Sequence, residues 1–101
     1  MSETIEKLIK TIRSRKGNDV KLSYTSFLLS KGNDYCLNKL KEEITEFEDA
    51  IRNKKNTVHE AADVIYHLLV TLESAGVNFD NILAELKKRE GTSGFKEKRN
   101  R

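Results

Sequence analysis

VHEAADVIYHLLVTL, residues 58–72, is the stretch on which the fold turns. It is the most apolar run in the chain, yet it carries Glu60, Asp63 and His67 at spacings of three and four. In a helix those three side chains share one flank. Nearly every other position from Ala61 to Leu72 is apolar, all round the wheel. A helix apolar on every side is one enclosed by protein, so its acids form a polar stripe in an apolar setting. Buried carboxylates are costly unless they are paired or bound to a cation. The start of the stretch offers a second reading, because Thr57-Val58-His59-Glu60 matches a capping box in which Glu60 bonds back to the Thr57 backbone N–H. Capping accounts for Glu60 and leaves Asp63 unexplained.

Working outward, the segment predicts a helix over 57–75, stopped by Gly76. Upstream, Leu37, Leu40, Ile44, Phe47 and Ile51 form an apolar stripe on a third helix, capped by Asn33 or Asp34 and ended near Arg52 by the polar NKKN of 53–56. Ile5, Leu8, Ile9 and Ile12 keep helical spacing from near Ser2 until Gly17-Asn18-Asp19 breaks it. A short second helix over 24–31 ends at Gly32, a residue suited to the position after a helix. A fifth spans 79–89, capped by Asn78 or Asp80 and stopped by Gly91. KGND occurs at 16–19 and again at 31–34, each time as a turn signal outside any longer repeat. No segment alternates with a period of two. The expectation is an all-α, antiparallel bundle of about five helices, with residues 1–91 as one domain and 92–101 as a basic C-terminal tail.

The third helix has its own acid pair. Glu43 and Glu46 fall beside the apolar stripe, with Lys39 on the same side, whereas Lys41 and Glu48 lie on the opposite flank. The four-residue linker 53–56 makes the third and fourth helices neighbours. Packed antiparallel, they could bring four carboxylates to one site. Such oxygen ligands select hard cations, Mg²⁺ or Mn²⁺, over zinc, and leave room for polyphosphate oxygens. Taken singly, each pair reads better as structure than as a site, since a solvated face is the usual fate of a charge run. Two pairs on adjacent helices beside apolar faces favour a site. His67 reads as a hydrogen-bonded core histidine, and His59 as an exposed residue near the cap.

Composition sets the remaining bounds. The chain has 101 residues, 37% hydrophobic and 35% charged, with no Pro, no Trp and a net charge of +3. That mixture suits exposed helices around an apolar seam and excludes a turn-rich sandwich or barrel. The single Cys36 excludes an internal disulfide or cysteine metal cluster and reads as a small packing residue, in keeping with a reducing cytoplasm. With no signal-peptide pattern and no apolar run of about 18 residues, the expected location is cytoplasmic and no membrane partner is expected. The basic RSRK at 13–16 and KEKRNR at 96–101 are weak support for nucleic acid, which is not an expected partner.

Four strings together carry a resemblance. SYTSFLLSKG (23–32), KLKEEITE (39–46), HEAADVIYHLLVTL (59–72) and ELKKREGTSGFKEK (85–98) resemble the phosphoribosyl-ATP pyrophosphatase family, within the all-α, MazG-like nucleoside triphosphate pyrophosphohydrolases. The signature of that superfamily, ExxE followed by ExxD, is matched by Glu43-Ile44-Thr45-Glu46 and Glu60-Ala61-Ala62-Asp63. The ordered combination covers the chain from about Leu8 to the C-terminus. One departure is Lys41, where the family pattern has glycine ahead of the EE pair; the acids are unaffected.

The resemblance implies hydrolysis of phosphoribosyl-ATP to phosphoribosyl-AMP and pyrophosphate in histidine biosynthesis, with Mg²⁺. It implies Glu43, Glu46, Glu60 and Asp63 as metal ligands, and Glu42, with Glu43 and Glu46, as the catalytic carboxylates, Glu42 joining the ligands or activating water. Lys39 would neutralise phosphate, and Ser23, Tyr24 and Lys31 are further candidates for substrate contact, Tyr24 equally for packing. It also implies a homodimer with sites near the interface, in line with a fourth helix too apolar to be covered by one chain. A house-cleaning pyrophosphatase acting on dCTP or dUTP would share the acid quartet and differ at the SYT segment and the tail. A non-enzymatic helical module binding nucleic acid through its basic ends is the third reading.

Overall fold

Helices α1 (Glu3–Ser14), α2 (Tyr24–Lys31), α3 (Asn33–Asn53), α4 (Thr57–Ser74) and α5 (Phe79–Arg89) make up the chain, and no strand occurs among the described residues. The structure is a computed structural model that describes residues 3–91. The expected tail, 92–101, lies outside the described residues. The all-α expectation stands, and each helix falls within a residue or two of its predicted bounds.

The two long helices lie antiparallel, and side-chain hydrogen bonds record their register. The Thr57 hydroxyl donates to the Ala50 carbonyl (3.2 Å), the Thr71 hydroxyl approaches the Cys36 carbonyl (3.4 Å), and the Ser74 hydroxyl donates to Asn33 Oδ1 (2.6 Å). Interpolating between these rungs puts Glu46 level with Glu60 and Glu43 level with Asp63. The reversal is tight because Lys54 and Asn56 both adopt left-handed backbone conformations, with φ of 54° and 58°. The Ala50 carbonyl takes the N–H groups of Lys54 and Lys55.

This turn overturns the expected capping box. The residue ahead of α4 is Asn56, in the left-handed region and with no side-chain cap, so Thr57 is already helical and spends its hydroxyl on Ala50. Glu60 is therefore released from capping. The start of α3 is a second correction, since neither Asn33 nor Asp34 caps it: Gly32 precedes the helix without a side-chain cap, and Asn33 binds Ser74 instead. Asn78 does cap α5, accepting from the Asp80 N–H at 2.9 Å.

The core is smaller than the stripes suggest. Ile12, Leu28, Cys36, Leu69 and Val70 are buried together, with Leu8, Ile9, Phe27, Tyr35, Tyr66 and Phe79 packed around them. The Cys36 thiol donates to the Leu28 carbonyl (3.3 Å), which fits its expected packing role. The α3 stripe, expected as a core face, is half in solvent: Leu37, Ile44 and Ile51 are 42%, 40% and 52% exposed. The enclosure expected of α4 is likewise incomplete, since Val58, Ile65 and Leu68 are exposed. The physical reason is length, because α1 and α2 are short and reach only part of the long α3–α4 pair.

One residue, Gly32, joins α2 to α3 at φ 87° and ψ 179°, a region essentially reserved for glycine. A Cβ there would meet nothing within 4 Å, so any penalty is torsional rather than steric. Gly32→Ala is expected to cost about 1–3 kcal/mol in chemical denaturation, with an unchanged helical spectrum.

Candidate functional site

The register set by the α3–α4 turn brings the two acid pairs together. Oxygens of Glu43, Glu46 and Glu60 lie within 4.8 Å of one another, and so do ligand atoms of His59, Glu60 and Asp63. Glu60 belongs to both groups and joins them. Each pair sits at i,i+3, so successive carboxylates leave the same side of their helix. A cleft of about 240 Å³ opens beside them, bordered by Glu46, Asp49, Glu60 and Lys55.

Electrostatic load concentrates on Glu43. Burial, a hydrogen bond shared with Glu46, and the charges of Glu46, Asp63 and Glu60 together push its carboxyl from 4.5 up to about 7. Among the described residues, the buried side-chain oxygens and nitrogens without a hydrogen-bond partner are Glu43 Oε2, Glu60 Oε2 and His67 Nε2. Native structures rarely leave such atoms unpaired. Two of the three are carboxylate oxygens in the acid group, and a hard cation is the partner whose chemistry answers both. The residues present therefore fit Mg²⁺.

The other candidates divide. Glu42 belongs to neither carboxylate group and extends into solvent, where Lys39 Nζ lies 3.5 Å away. Tyr24, 53% exposed, lies close enough to Lys39 and Glu43 to feel both charges, so α2 borders the acid site. Ser23 serves as the N-cap of α2, accepting from the Ser26 N–H at 3.2 Å. Lys31 rests on the rings of Phe27 and Tyr35. His67 is buried, its Nδ1 3.1 Å from the Asp63 carbonyl, and Tyr24 and Tyr66 pack edge-on against it. Because a carbonyl only accepts, Nδ1 is the donor in this contact.

Sequence reading passed over two residues here. His59 is exposed as expected, but its Nε2 lies 3.3 Å from Asp63 Oδ2. The i,i+4 spacing of the two was the available signal. Asp49, three residues beyond Glu46, borders the cleft by the same helical logic.

The match to known proteins agrees with this geometry. A family model described as phosphoribosyl-ATP pyrophosphohydrolase matches residues 5–90. The chain belongs to this family. A Rhodobacter capsulatus protein named phosphoribosyl-ATP pyrophosphatase is 45% identical over 96 residues, covering 93% of each chain. A protein of the same name from Cereibacter sphaeroides is 43% identical over 96% of each chain. One from Gluconobacter oxydans is 41% identical, over 93% of this chain and 72% of its own. The family match spans α1 to α5 and includes both acid pairs.

The raised Glu43 pKa has a consequence for stability. Between its ordinary 4.5 and about 7 the folded chain holds a proton that the unfolded chain has released. Stability from this group is thus present in acid and lost as pH rises towards 7. Without divalent cations, the melting temperature should fall between pH 5 and pH 7.5. Glu43→Gln should flatten that slope, and a slope unchanged in the variant would remove Glu43 as its source.

Proposed function

We propose that this chain hydrolyses phosphoribosyl-ATP to phosphoribosyl-AMP and pyrophosphate, a step of histidine biosynthesis, with Mg²⁺ held by Glu43, Glu46, Glu60 and Asp63. The observation that carries the reading is the meeting of two acid pairs on antiparallel helices, with two of their buried oxygens unpaired, in a member of this family. A bound Mg²⁺ would polarise the phosphoryl oxygens and offset the charge of the departing pyrophosphate.

The chain's own residues position and deprotonate. A water oxygen bonds to the phosphorus that joins the nucleotide to the pyrophosphate, and the bond to the bridging oxygen breaks, its electron pair leaving with pyrophosphate. The water's proton passes to a carboxylate. With Glu43 and Glu46 holding the cation, Glu42 is the acid next to them left to accept that proton, and Lys39 at 3.5 Å steadies it. Lys39 also supplies positive charge near the phosphates, with Tyr24 and Lys31 further along the same side. Ser23 helps by fixing the first turn of α2. No covalent nucleophile is needed.

A homodimer belongs to the same reading. Leu37, Ile44 and Ile51 recur every seven residues on α3 and, with Val58, Ile65 and Leu68 on α4, leave an apolar face open to solvent. A second copy would cover it, since a monomer seldom exposes a contiguous patch of this kind. A cytoplasmic location suits the unpaired, buried thiol of Cys36. No helix among the described residues is long and apolar enough to cross a membrane.

The direct test is pyrophosphate release from phosphoribosyl-ATP and from a panel of dNTPs, with and without Mg²⁺. Release from phosphoribosyl-ATP only with Mg²⁺ is expected; release from dCTP or dUTP instead would transfer the chain to house-cleaning hydrolysis. Asp63→Asn should lower kcat/KM by roughly 100-fold or more while changing stability by no more than about 0.5 kcal/mol. Glu42→Gln should lower kcat and leave Mg²⁺ affinity as it was, whereas Glu43→Gln should weaken Mg²⁺ binding itself. Ile65→Glu should shift the sedimentation coefficient to that of a monomer.

A further inference from the structure

A row of aromatic rings leads away from the acids along α2 and the start of α3. Tyr24, beside Glu43 and Lys39, stacks on Phe27 with ring centroids 6.3 Å apart. Phe27 meets Tyr35 edge-on at 5.7 Å. Lys31 sits at the far end of the row, and Lys39 reaches from Tyr35 back towards the acids. Lys31 Nζ is 5.3 Å from the Tyr35 centroid and 5.9 Å from that of Phe27, and Lys39 Nζ is 5.6 Å from Tyr35. Lys39 shares its charge with Glu42 at 3.5 Å. Lys31 has no carboxylate within ion-pair distance among the described residues. An ammonium resting on a ring keeps N–H donors free for an anion.

The placement matters because of what the substrate carries. Phosphoribosyl-ATP has two anionic ends, a triphosphate and the single phosphate of the added ribose, with a nucleoside between them. The acid group repels a bare phosphate and suits the triphosphate only through a cation. Tyr35 lies two turns before Glu43 on α3, about 12 Å along the axis, a gap that a nucleoside spans. Lys31 on Tyr35 is therefore a second anion-binding place, at the right remove and independent of metal.

We propose that Lys31, seated on Tyr35 and Phe27, holds the phosphate of the phosphoribosyl group, and that this contact selects a phosphoribosyl-nucleotide over a plain nucleoside triphosphate. The inference rests on the activity proposed above and adds Tyr35 and Phe27, which neither acid chemistry nor family signature assigns, as the platform that aims the Lys31 ammonium group. Tyr35 and Phe27 are positioning residues, and Lys31 makes the contact.

Ligand pairs that differ only in that phosphoribosyl group test it. Phosphoribosyl-AMP and AMP would be titrated calorimetrically into the full chain with Mg²⁺, with inorganic pyrophosphate as a probe of the acid site. Wild type should prefer phosphoribosyl-AMP, and the preference should shrink with added salt. Lys31→Ala should cut that preference roughly tenfold while its affinity for AMP and for pyrophosphate holds, and Lys31→Arg should retain it. Equal weakening of AMP and phosphoribosyl-AMP, or no change in either, would overturn the proposal. If K31A keeps the wild-type KM for phosphoribosyl-ATP while turnover is normal, only the subsite fails. If wild type releases no pyrophosphate from phosphoribosyl-ATP with Mg²⁺, the proposed activity fails and takes the subsite with it.

Discussion

Like charges held in one place are the constraint on which the rest of this structure depends. Four carboxylates gather between α3 and α4, and burial, a hydrogen bond shared with Glu46 and the charges of Glu46, Asp63 and Glu60 together raise Glu43 to about 7. Nothing in the acids themselves favours that gathering. It is imposed by the antiparallel register, recorded by Thr57 on Ala50, Thr71 near Cys36 and Ser74 on Asn33. The register in turn hangs on a turn so tight that Lys54 and Asn56 accept left-handed backbone conformations. Local strain and local repulsion are thus carried by helix packing, an arrangement common where a protein stores the means to bind a ligand. A cation at the acids would relieve both the repulsion and the two unpaired oxygens of Glu43 and Glu60.

The same long pair explains why the fold looks unfinished as a single chain. α1 and α2 cover one part of it, where Ile12 and Leu28 close over Cys36, Leu69 and Val70. Along the rest, apolar side chains of α3 and α4 stay in solvent. The acid group lies on these helices too, so it shares one scaffold with the exposed apolar side chains. α2 then borders the site with Tyr24 and continues it as a row of rings ending at Lys31. The acids and Lys31 lie on different helices, and only the packing of those helices sets the distance between them.

Much of this was legible in the residues. Period and punctuation located every helix, and the i,i+3 spacing put each acid pair on one side of its helix. Several inferences failed or fell short for stated physical reasons. The apolar run 58–72 implied an enclosed helix, yet Val58, Ile65 and Leu68 stay exposed on it. Thr57 matched a capping box, but the pattern cannot register that a neighbouring carbonyl, that of Ala50, will claim its hydroxyl. The α3 stripe implied a core face, but amphipathicity says a face must be covered and not by what. His59 and Asp63 have the spacing of a pair, yet whether they meet depends on rotamers.

What the sequence by itself determined is the class of fold, the helix bounds and the identity of the acids, because these follow from local periodicity and from residue chemistry. The family signature lies in the same local order. What only the tertiary structure decided is which groups share a space: Glu46 beside Glu60, Lys31 and Lys39 on one tyrosine, His67 with its Nε2 buried and unpartnered. The physical reason is that such meetings depend on register between helices. A register is a property of two surfaces packed together, and no single stretch of chain encodes it.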